Sequence, residues 1–226
     1  MNRRAGQPPP VASLASIMTL AGQLYAILDL GYVAGDDAEK VTRELLAGGA
    51  DLLQLRAKGH DLETIRRIGE RLLPLCRAAG VPFILNDHPA LAAEIGADGV
   101  HIGQDDGSLA EARVLVGPGM IVGRSTHSPG QARAALAEGF DYIGFGPLFP
   151  TPTKQGRPGI GLDGIAGVQA SVGVHIPVFC IGGIKRSNLP EVLAAGARNV
   201  VIVSDLLSAG HVASAAGEIK ASLAGR

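Results

Sequence analysis

The sequence has few cysteines, with two among its 226 residues. Cys76 and Cys180 lie far apart and form neither a CxxC pair nor a Cys/His spacing of the kind that binds a metal. A cysteine-based metal site is therefore not expected. Both cysteines stand in apolar runs, and we interpret them as reduced thiols of a cytoplasmic protein that pack as small hydrophobic side chains.

The sequence also has no excess of charge of one sign and no long hydrophobic run. Charged residues make up 18% of the chain and the formal net charge is -1, so neither nucleic acid nor an anionic membrane is expected as a partner. No apolar run approaches the roughly 20 residues that a membrane-spanning helix needs. The apolar stretch Val11–Ala21 is short and follows the proline run Pro8–Pro10. We predict that residues 1–22 form a flexible extension or a short helix, not a signal peptide.

What the sequence does contain is a repeated alternation of short β-prone runs and longer amphipathic segments. Hydrophobic residues make up 46% of the chain, which is ample material for a core. From Leu24 onward, each apolar run is followed by a polar or glycine-rich break and then by a segment with helical spacing. The predicted strands are Leu24–Leu28, Leu52–Arg56, Phe83–Leu85, Gly99–His101, Ile121–Gly123, Tyr142–Phe145, Val178–Cys180 and Val200–Val203. The predicted helices are Asp37–Ala47, Asp61–Ala79, Pro89–Glu94, Ser108–Val116, Ser128–Glu138, Leu162–Val172, Ser187–Ala195 and His211–Leu223.

The junctions between predicted helices and strands resemble one another. Gly-Ala-Asp precedes the second and fourth strands, and Gly-Ala-Arg precedes the eighth. Eight strand–helix alternations without a linker predict a parallel sheet, either a closed barrel or an open doubly wound sheet. The count of eight favours an α/β fold of the (β/α)₈ TIM-barrel type, with residues 23–226 as one catalytic domain.

In such a barrel the active residues lie at the C-terminal ends of the strands and in the loops that follow. The second strand ends with Gln54 and Arg56 on one face, and Leu53 and Leu55 on the other. We predict that the leucines pack against the helices and that Gln54 and Arg56 point into the barrel. Arg56, with Lys58 just above it, is suited to bind a phosphate or diphosphate. The alternative is that Arg56 forms a salt bridge with an internal carboxylate.

Acidic residues follow the third and fourth strands. Asn86 and Asp87 end the third strand, and Asp106 follows the fourth. Mg²⁺ usually takes one or two carboxylates together with phosphate oxygens and water. Asp87 and Asp106 are therefore predicted Mg²⁺ ligands, and Asn86 a donor to phosphate. The alternative is that Asp106 caps the helix that begins near Ser108 and that Asp87 binds turn amides.

Candidate site residues also follow the fifth and sixth strands. Ser125 stands nearest the tip of the fifth strand and is a candidate substrate contact, whereas we interpret His127 as structural. The loop after the sixth strand is rich in proline and glycine and contains Thr151, Thr153 and Lys154. Long loops in compact barrels are often lids, so Lys154 is predicted to close over an anion.

The seventh and eighth strands predict a second anion site. The seventh strand runs into Gly182-Gly183, and the eighth ends with Val203-Ser204. Barrels often bind phosphate through backbone amides of these two loops. Two anion sites and a metal site at one barrel mouth indicate group transfer with diphosphate as the leaving group.

In order along the chain, these motifs resemble those of the thiamine-phosphate synthase family. The matching stretches are Gln54-Leu-Arg-Ala-Lys58, Leu85-Asn-Asp87, His101-Ile-Gly-Gln-Asp-Asp106, Ser125-Thr-His127, Gly144 to Lys154, Ile181-Gly-Gly183 and Val203-Ser204. The resemblance implies that hydroxymethylpyrimidine diphosphate and a thiazole monophosphate are joined to give thiamine phosphate and diphosphate. It further implies that Arg56, Lys58, Asn86 and Lys154 hold the diphosphate, Asp87 and Asp106 hold Mg²⁺, Gln54 and Ser125 contact the pyrimidine, Thr151 and Thr153 face the thiazole, and Gly183, Val203 and Ser204 bind its phosphate.

Two other functions remain as alternatives. The glycine-rich stretch after Lys154 is closer to thiazole tautomerases of the same fold, which would use His127 as a proton shuttle and no metal. The other alternative is a noncatalytic protein that binds thiamine phosphate. In such a protein the metal-binding and lysine residues are expected to be replaced, whereas they are present here. The sequence leaves open whether the protein forms a homo-oligomer.

Overall fold

The computed structural model describes residues 23–151 and 158–224. The predicted extension, residues 1–22, and the predicted site residues Thr153 and Lys154 lie outside the described residues. Eight parallel strands pair in chain order and close into a barrel, which confirms the TIM-barrel prediction and excludes the open sheet. The strands are β1 (Leu24–Asp29), β2 (Leu52–Arg56), β3 (Phe83–Asn86), β4 (Gly99–Ile102), β5 (Ile121–Thr126), β6 (Tyr142–Phe145), β7 (Val178–Ile181) and β8 (Asn199–Ile202).

Helices connect successive strands and surround the barrel. They are α1 (Ala38–Ala47), α2 (Leu62–Ala79), α3 (Pro89–Ile95), α4 (Leu109–Val116), α5 (Pro129–Glu138), α6 (Ile165–Ser171), α7 (Leu189–Ala194), α8 (Ser204–Leu207) and α9 (Val212–Ala224). Among the helices of the described residues, none is both long and apolar enough to cross a membrane.

Local sequence chemistry sets several helix ends. The Ser108 side chain caps α4 in a reciprocal capping box with Glu111, and Ser128 caps α5 ahead of proline. Gly80 and Gly139 end α2 and α5 in the left-handed conformation that favours glycine. These boundaries therefore lie within one residue of those that the sequence predicts.

The largest differences from the predicted boundaries occur in β5 and α6. β5 continues to Thr126, three residues beyond its predicted end, because Arg124, Ser125 and Thr126 pair with residues of β6. This pairing places Ser125 inside a strand. α6 begins at Ile165, three residues after its predicted start.

Strand alternation divides the core into two layers. Leu53 and Leu55 of β2 pack in the large cluster between the sheet and the helices, as predicted. A smaller cluster fills the barrel interior, and its buried members are Tyr25, Ile27, Leu52, Ile84, Ile121, Tyr142, Phe179 and Val201. Gly123 in β5 makes room for this interior, because a Cβ atom there would lie 2.1 Å from Cζ of Tyr142. Side chains therefore fill the barrel interior, and a site can form only above them, at the C-terminal ends of the strands.

Candidate active site

A cavity of about 830 Å³, measured to include its open mouth, lies at the C-terminal end of the barrel. Its lining comes from strands on all sides of the barrel and from the loops after β6, β7 and β8. The predicted site residues that line it are Gln54, Arg56, Asn86, Ser125, Thr151, Gly183, Val203 and Ser204. The barrel thus brings together side chains from widely separated parts of the sequence. Lys58, Asp87 and Asp106 are not part of this lining.

Arg56 forms a salt bridge with Asp29, a residue that the sequence analysis did not single out. Nη1 of Arg56 lies 2.5 Å from Oδ2 of Asp29, and both side chains are largely buried. The two residues are direct neighbours in the β1–β2 register. The structure therefore contains the internal ion pair that was the alternative for Arg56, and it also places Arg56 on the cavity wall. Asp29 is the last residue of β1, and this position at a strand end is the feature from which it could have been predicted.

Asp87 is held in place at the tip of β3. Its φ angle of 66° is the one left-handed backbone conformation of a non-glycine residue within the described parts of the chain. Its backbone N–H donates to the carbonyl of His101 at 2.9 Å, and its Oδ2 atom lies 2.8 Å from Nζ of Lys58. Such a conformation is energetically unfavourable, and in folded proteins it often marks a functional position.

Asp106 lies beside the end of the neighbouring strand. Its Oδ2 atom accepts a hydrogen bond from the backbone N–H of Gly103 at 2.7 Å. The alternative that Asp106 caps α4 is wrong, because Ser108 provides that cap. The backbone of Asp87 is thus bonded to residue 101 and the carboxylate of Asp106 to residue 103, whereas the carboxylate of Asp87 contacts Lys58.

The two carboxylates supply oxygen donors of the kind that Mg²⁺ prefers, and each keeps a second oxygen besides the one already described. Across residues 23–151 and 158–224, no group of three or more His, Cys, Asp or Glu side chains is arranged as a metal site. A magnesium ion that shares its ligands with a diphosphate needs fewer protein ligands than that. The donor set therefore fits Mg²⁺ held jointly with substrate, and it does not fit a site made by protein alone.

A row of hydrogen-bonded side chains crosses the floor of the cavity. Nε2 of Gln54 donates to the hydroxyl of Tyr25 at 2.6 Å, and the Tyr25 and Tyr142 hydroxyls are 2.9 Å apart. Nδ1 of His101 lies 3.1 Å from the Tyr142 hydroxyl, and its Nε2 lies 3.0 Å from Oγ of Ser125. Burial raises the pKa of both tyrosine hydroxyls, so both stay protonated at neutral pH.

Tyr25, Tyr142 and His101 have no role predicted from the sequence, although strand alternation could have indicated that they point into the barrel. Tyr25 lies two residues before Ile27 and four before Asp29 on the inward face of β1. Aromatic residues inside a barrel are more often simple core, so alternation alone did not distinguish them.

His127 also lines the cavity, and its contacts support the structural interpretation. Its Nδ1 atom lies 2.5 Å from the carbonyl oxygen of Gly146, and its backbone N–H donates to Gln131 at 2.7 Å. The Gly146-Pro147 peptide bond is cis. His127 thus ties the start of α5 to the loop after β6.

The wall on the β7–β8 side depends on two glycines. Gly182 and Gly183 have φ angles of 98° and 68°, which side-chain-bearing residues rarely adopt. A Cβ atom on Gly182 would lie 2.4 Å from Cα of Pro147, and the N–H of Phe149 donates to the carbonyl of Gly182 at 3.0 Å. The loops after β6 and β7 therefore pack backbone against backbone.

Known proteins of one family are similar to this chain over most of its length. The family model described as thiamine monophosphate synthase matches residues 24–206. The thiamine-phosphate synthase of Thermus thermophilus is 48% identical over 184 residues, which cover 81% of this chain and 88% of the relative. That of Methanocella arvoryzae is 42% identical over 199 residues, or 88% of this chain and 93% of the relative.

The fold comparison agrees. The solved structure of thiamine phosphate pyrophosphorylase from Pyrococcus furiosus superimposes with a TM-score of 0.81 at 32% identity. The match covers 92% of this chain and 98% of that one.

Proposed function

The chain belongs to the thiamine monophosphate synthase family, and we propose that its cavity joins a pyrimidine diphosphate to a thiazole monophosphate with Mg²⁺ bound. The family assignment confirms the resemblance found in the sequence and identifies the protein as a transferase of the thiamine-phosphate synthase type. The observation that best supports the proposed substrates is that one cavity is lined by both the predicted pyrimidine contacts and the predicted phosphate contacts. We further propose that residues 23–226 form the catalytic domain and that the protein acts in the cytoplasm.

The proposed diphosphate site lies where cations and an amide meet the barrel mouth. Arg56 and Asn86 line the cavity there, and Asp29 holds the guanidinium in a fixed orientation. An arginine has five N–H donors, so one guanidinium can contact a carboxylate and phosphate oxygens together. Lys58 is half-exposed in its pair with Asp87, and an exposed pair of this kind is weak enough to rearrange around an incoming anion. Lys154 is proposed as the fourth contact from its sequence position alone.

Asp87 and Asp106 are the residues that would hold Mg²⁺, together with diphosphate oxygens and water. When bound, the ion supplies positive charge that stabilises the negative charge on the departing diphosphate. The backbone bond of Asp87 to residue 101 and the bond of the Asp106 carboxylate to residue 103, both at the end of β4, support this assignment. The strained backbone of Asp87 supports it independently.

The chemistry requires little from the protein beyond binding and orientation. The C–O bond between the pyrimidine methylene carbon and diphosphate breaks, and both electrons leave on oxygen. The lone pair of the thiazole nitrogen then forms a C–N bond to that carbon. Gln54 and Ser125 would orient the pyrimidine, and Thr151 and Thr153 the thiazole. Gly183, Val203 and Ser204 would hold the thiazole phosphate, so that the reacting atoms are already close.

The direct test is a turnover assay with both substrates, with and without Mg²⁺, on the wild type and on Asp87→Ala. We expect wild-type diphosphate release to require Mg²⁺, and Asp87→Ala to lower kcat by about 100-fold or more. Asp36→Ala removes an exposed carboxylate from the turn before α1 and serves as the matched control. Thermal unfolding should show that both variants keep the fold.

Two outcomes would contradict the proposal. Wild-type turnover by Asp87→Ala at limiting Mg²⁺ would remove the metal assignment. Isomerisation of the thiazole without Mg²⁺ and without diphosphate release would instead establish the tautomerase alternative.

A further inference from the structure

The loop after β7 is held at both ends by its neighbours. At one end the carbonyl of Gly182 accepts a hydrogen bond from the backbone N–H of Phe149 at 3.0 Å. At the other end the backbone N–H of Arg186 donates to Oδ2 of Asp205 at 3.1 Å, and Nε of Arg186 donates to the same oxygen at 2.9 Å. Asp205 directly follows Ser204 in sequence, so this contact ties the loop after β7 to the other half of the predicted phosphate site.

The side chain of Asn188 holds the segment between these two ends. Its Nδ2 atom donates to the carbonyl of Gly183 at 3.0 Å, and its Oδ1 atom accepts from the backbone N–H of Lys185 at 2.7 Å. A backbone carbonyl can only accept and a backbone N–H can only donate, so these two partners together set the orientation of the amide.

The position of Asn188 in the sequence would favour a different set of contacts. It stands immediately before α7, where the side-chain oxygen of an asparagine commonly accepts from the first N–H groups of the helix. Within residues 158–224, which the structure describes without a gap, that oxygen accepts from Lys185 ahead of the helix and provides no cap to α7. The side chain of Asn188 is therefore committed to the loop and not to the helix.

The bond to Gly183 sets the direction of a peptide group. Gly183 has a φ angle of 68°, and glycine adopts positive and negative φ about equally well, so its peptide groups turn easily unless another group holds them. In a trans peptide the carbonyl and the N–H point in opposite directions. Because the carbonyl of Gly183 points to Asn188, the N–H of Ile184 in the same peptide points away from it.

This peptide lies at the wall of the cavity. Gly183 and Ile184 both belong to the cavity lining, whereas Asn188 does not. In the part of the chain that the structure describes, the backbone N–H groups of Gly183 and Ile184 donate to no other residue. Consecutive backbone N–H groups in a turn form concave anion sites, so the wall offers an anion two donors here.

We propose that Asn188 is a positioning residue for a phosphate dianion, which it serves by directing the N–H of the Gly183–Ile184 peptide to the anion beside Ser204. Loss of the Asn188 side chain frees this peptide to turn, and its carbonyl oxygen then faces the anion in place of a donor. The inference rests on the proposed function for the identity of the phosphate ester, and it adds a residue that does not itself touch the ligand.

The first test uses inorganic phosphate and needs no substrate. In ¹H–¹⁵N correlation spectra of the backbone-assigned wild type, we expect phosphate to shift the amide protons of Gly183 and Ile184 downfield in a saturable way. Asn188→Ala should raise the phosphate concentration for half-maximal shift about tenfold, which corresponds to one hydrogen bond to a charged group. No response of these two amides in the wild type, or an equal response in Asn188→Ala, would overturn the proposal.

Asn199→Ala is the matched control. Asn199 also donates from Nδ2 to a backbone carbonyl, that of Val178 at 3.4 Å, but at the opposite end of the barrel, where β7 and β8 begin. This variant should bind phosphate as the wild type does. A loss of phosphate binding in Asn199→Ala equal to that in Asn188→Ala would assign the effect to general loosening of the barrel and would count against the proposal.

Asn188→Asp separates the two bonds of the side chain. Aspartate keeps an oxygen that accepts from Lys185 and has no N–H to donate to Gly183. We therefore expect its loss of phosphate binding to be at least as large as that of Asn188→Ala. Wild-type binding by Asn188→Asp would show that only the Lys185 bond matters, and the proposal would fail.

The last test measures selectivity for the phosphate group during turnover. The thiazole monophosphate is compared with the thiazole alcohol, which lacks only the phosphate. We expect Asn188→Ala to lower kcat/KM about tenfold for the monophosphate and to leave that for the alcohol, and the KM of the pyrimidine diphosphate, unchanged. An equal loss with both thiazoles would indicate a merely structural role and contradict the proposal. If the two amides respond to phosphate as expected and neither thiazole is turned over, the phosphate site stands and the proposed reaction fails.

Discussion

Thr42 is fully buried in α1, yet its hydroxyl oxygen has no hydrogen-bond partner within the part of the chain that the structure describes. A buried hydroxyl without a partner costs free energy, because its hydrogen bonds to water are lost on folding and not replaced. Thr126 in β5 is the opposite case, since its hydroxyl is equally buried and donates to the carbonyl of Gly144 at 3.0 Å. The two threonines allow the cost and the benefit of a buried hydroxyl to be compared in one protein.

We expect Thr42→Val to raise the free energy of unfolding by about 1 kcal/mol, because valine has the same shape and no polar atom to desolvate. Thr126→Val should lower it by about 1 kcal/mol, because the Gly144 carbonyl then loses its donor. Chemical denaturation of both variants measures these changes. A loss of stability in Thr42→Val would show that its hydroxyl contributes to the fold.

At the scale of single elements, the loop between β4 and α4 is held from the neighbouring strand. Arg124 in β5 donates from Nη1 to the carbonyl of Gly107 at 2.6 Å and from Nη2 to that of Gln104 at 3.3 Å. Its guanidinium carbon lies 5.3 Å from the centre of the Phe140 ring. The Gln104 side chain in turn donates to the carbonyl of Ser125 at 2.5 Å. The loop that carries Asp106 is thus fixed to β5 at several points.

Arg124→Met should therefore weaken activation by Mg²⁺, although Arg124 is not one of the proposed ligands of the ion. Methionine keeps an apolar stem and removes the donors, so Asp106 loses its fixed position. We expect the Mg²⁺ concentration for half-maximal activity to rise about tenfold, with the KM of the thiazole monophosphate unchanged. Arg113→Met is the control, because Arg113 pairs with Asp141, at 2.7 Å, immediately before β6. That variant should lose stability and keep its Mg²⁺ requirement, and an equal shift in both variants would refute a specific role for Arg124.

At the scale of the whole molecule, both cysteines are enclosed by the core. Cys76 and Cys180 are each 0% exposed, and burial raises the pKa of both thiols to about 12. The charge of Asp98 raises the pKa of Cys76 further. At neutral pH both thiols are therefore protonated and out of reach, and a reagent that needs the thiolate can act only after the barrel opens.

We expect thiol labelling of the native protein at pH 8 to be at least about 1,000-fold slower than in concentrated guanidinium chloride. Mass spectrometry during labelling should show the two cysteines modified together, because Cys76 lies on α2 and Cys180 on β7 of one closed barrel. Fast modification of one cysteine in native buffer would indicate a local opening instead.

The sequence by itself determined the alternation of elements, because a strand repeats every two residues and a helix every 3.6, and both periods are local properties. The helix starts at Ser108 and Ser128 were likewise determined by the residues next to them in sequence. It also identified cavity residues such as Gln54, Ser125 and Gly183, because the C-terminal strand ends of any closed parallel barrel meet at one rim.

Only the tertiary structure decided which side chains meet across the barrel. The Tyr25 and Tyr142 hydroxyls are 117 residues apart in sequence and are brought together by closure of the barrel. The pairing of Arg56 with Asp29 likewise follows from the β1–β2 register. Register and closure are set by the packing of all eight strands at once, so no single segment of the sequence contains them.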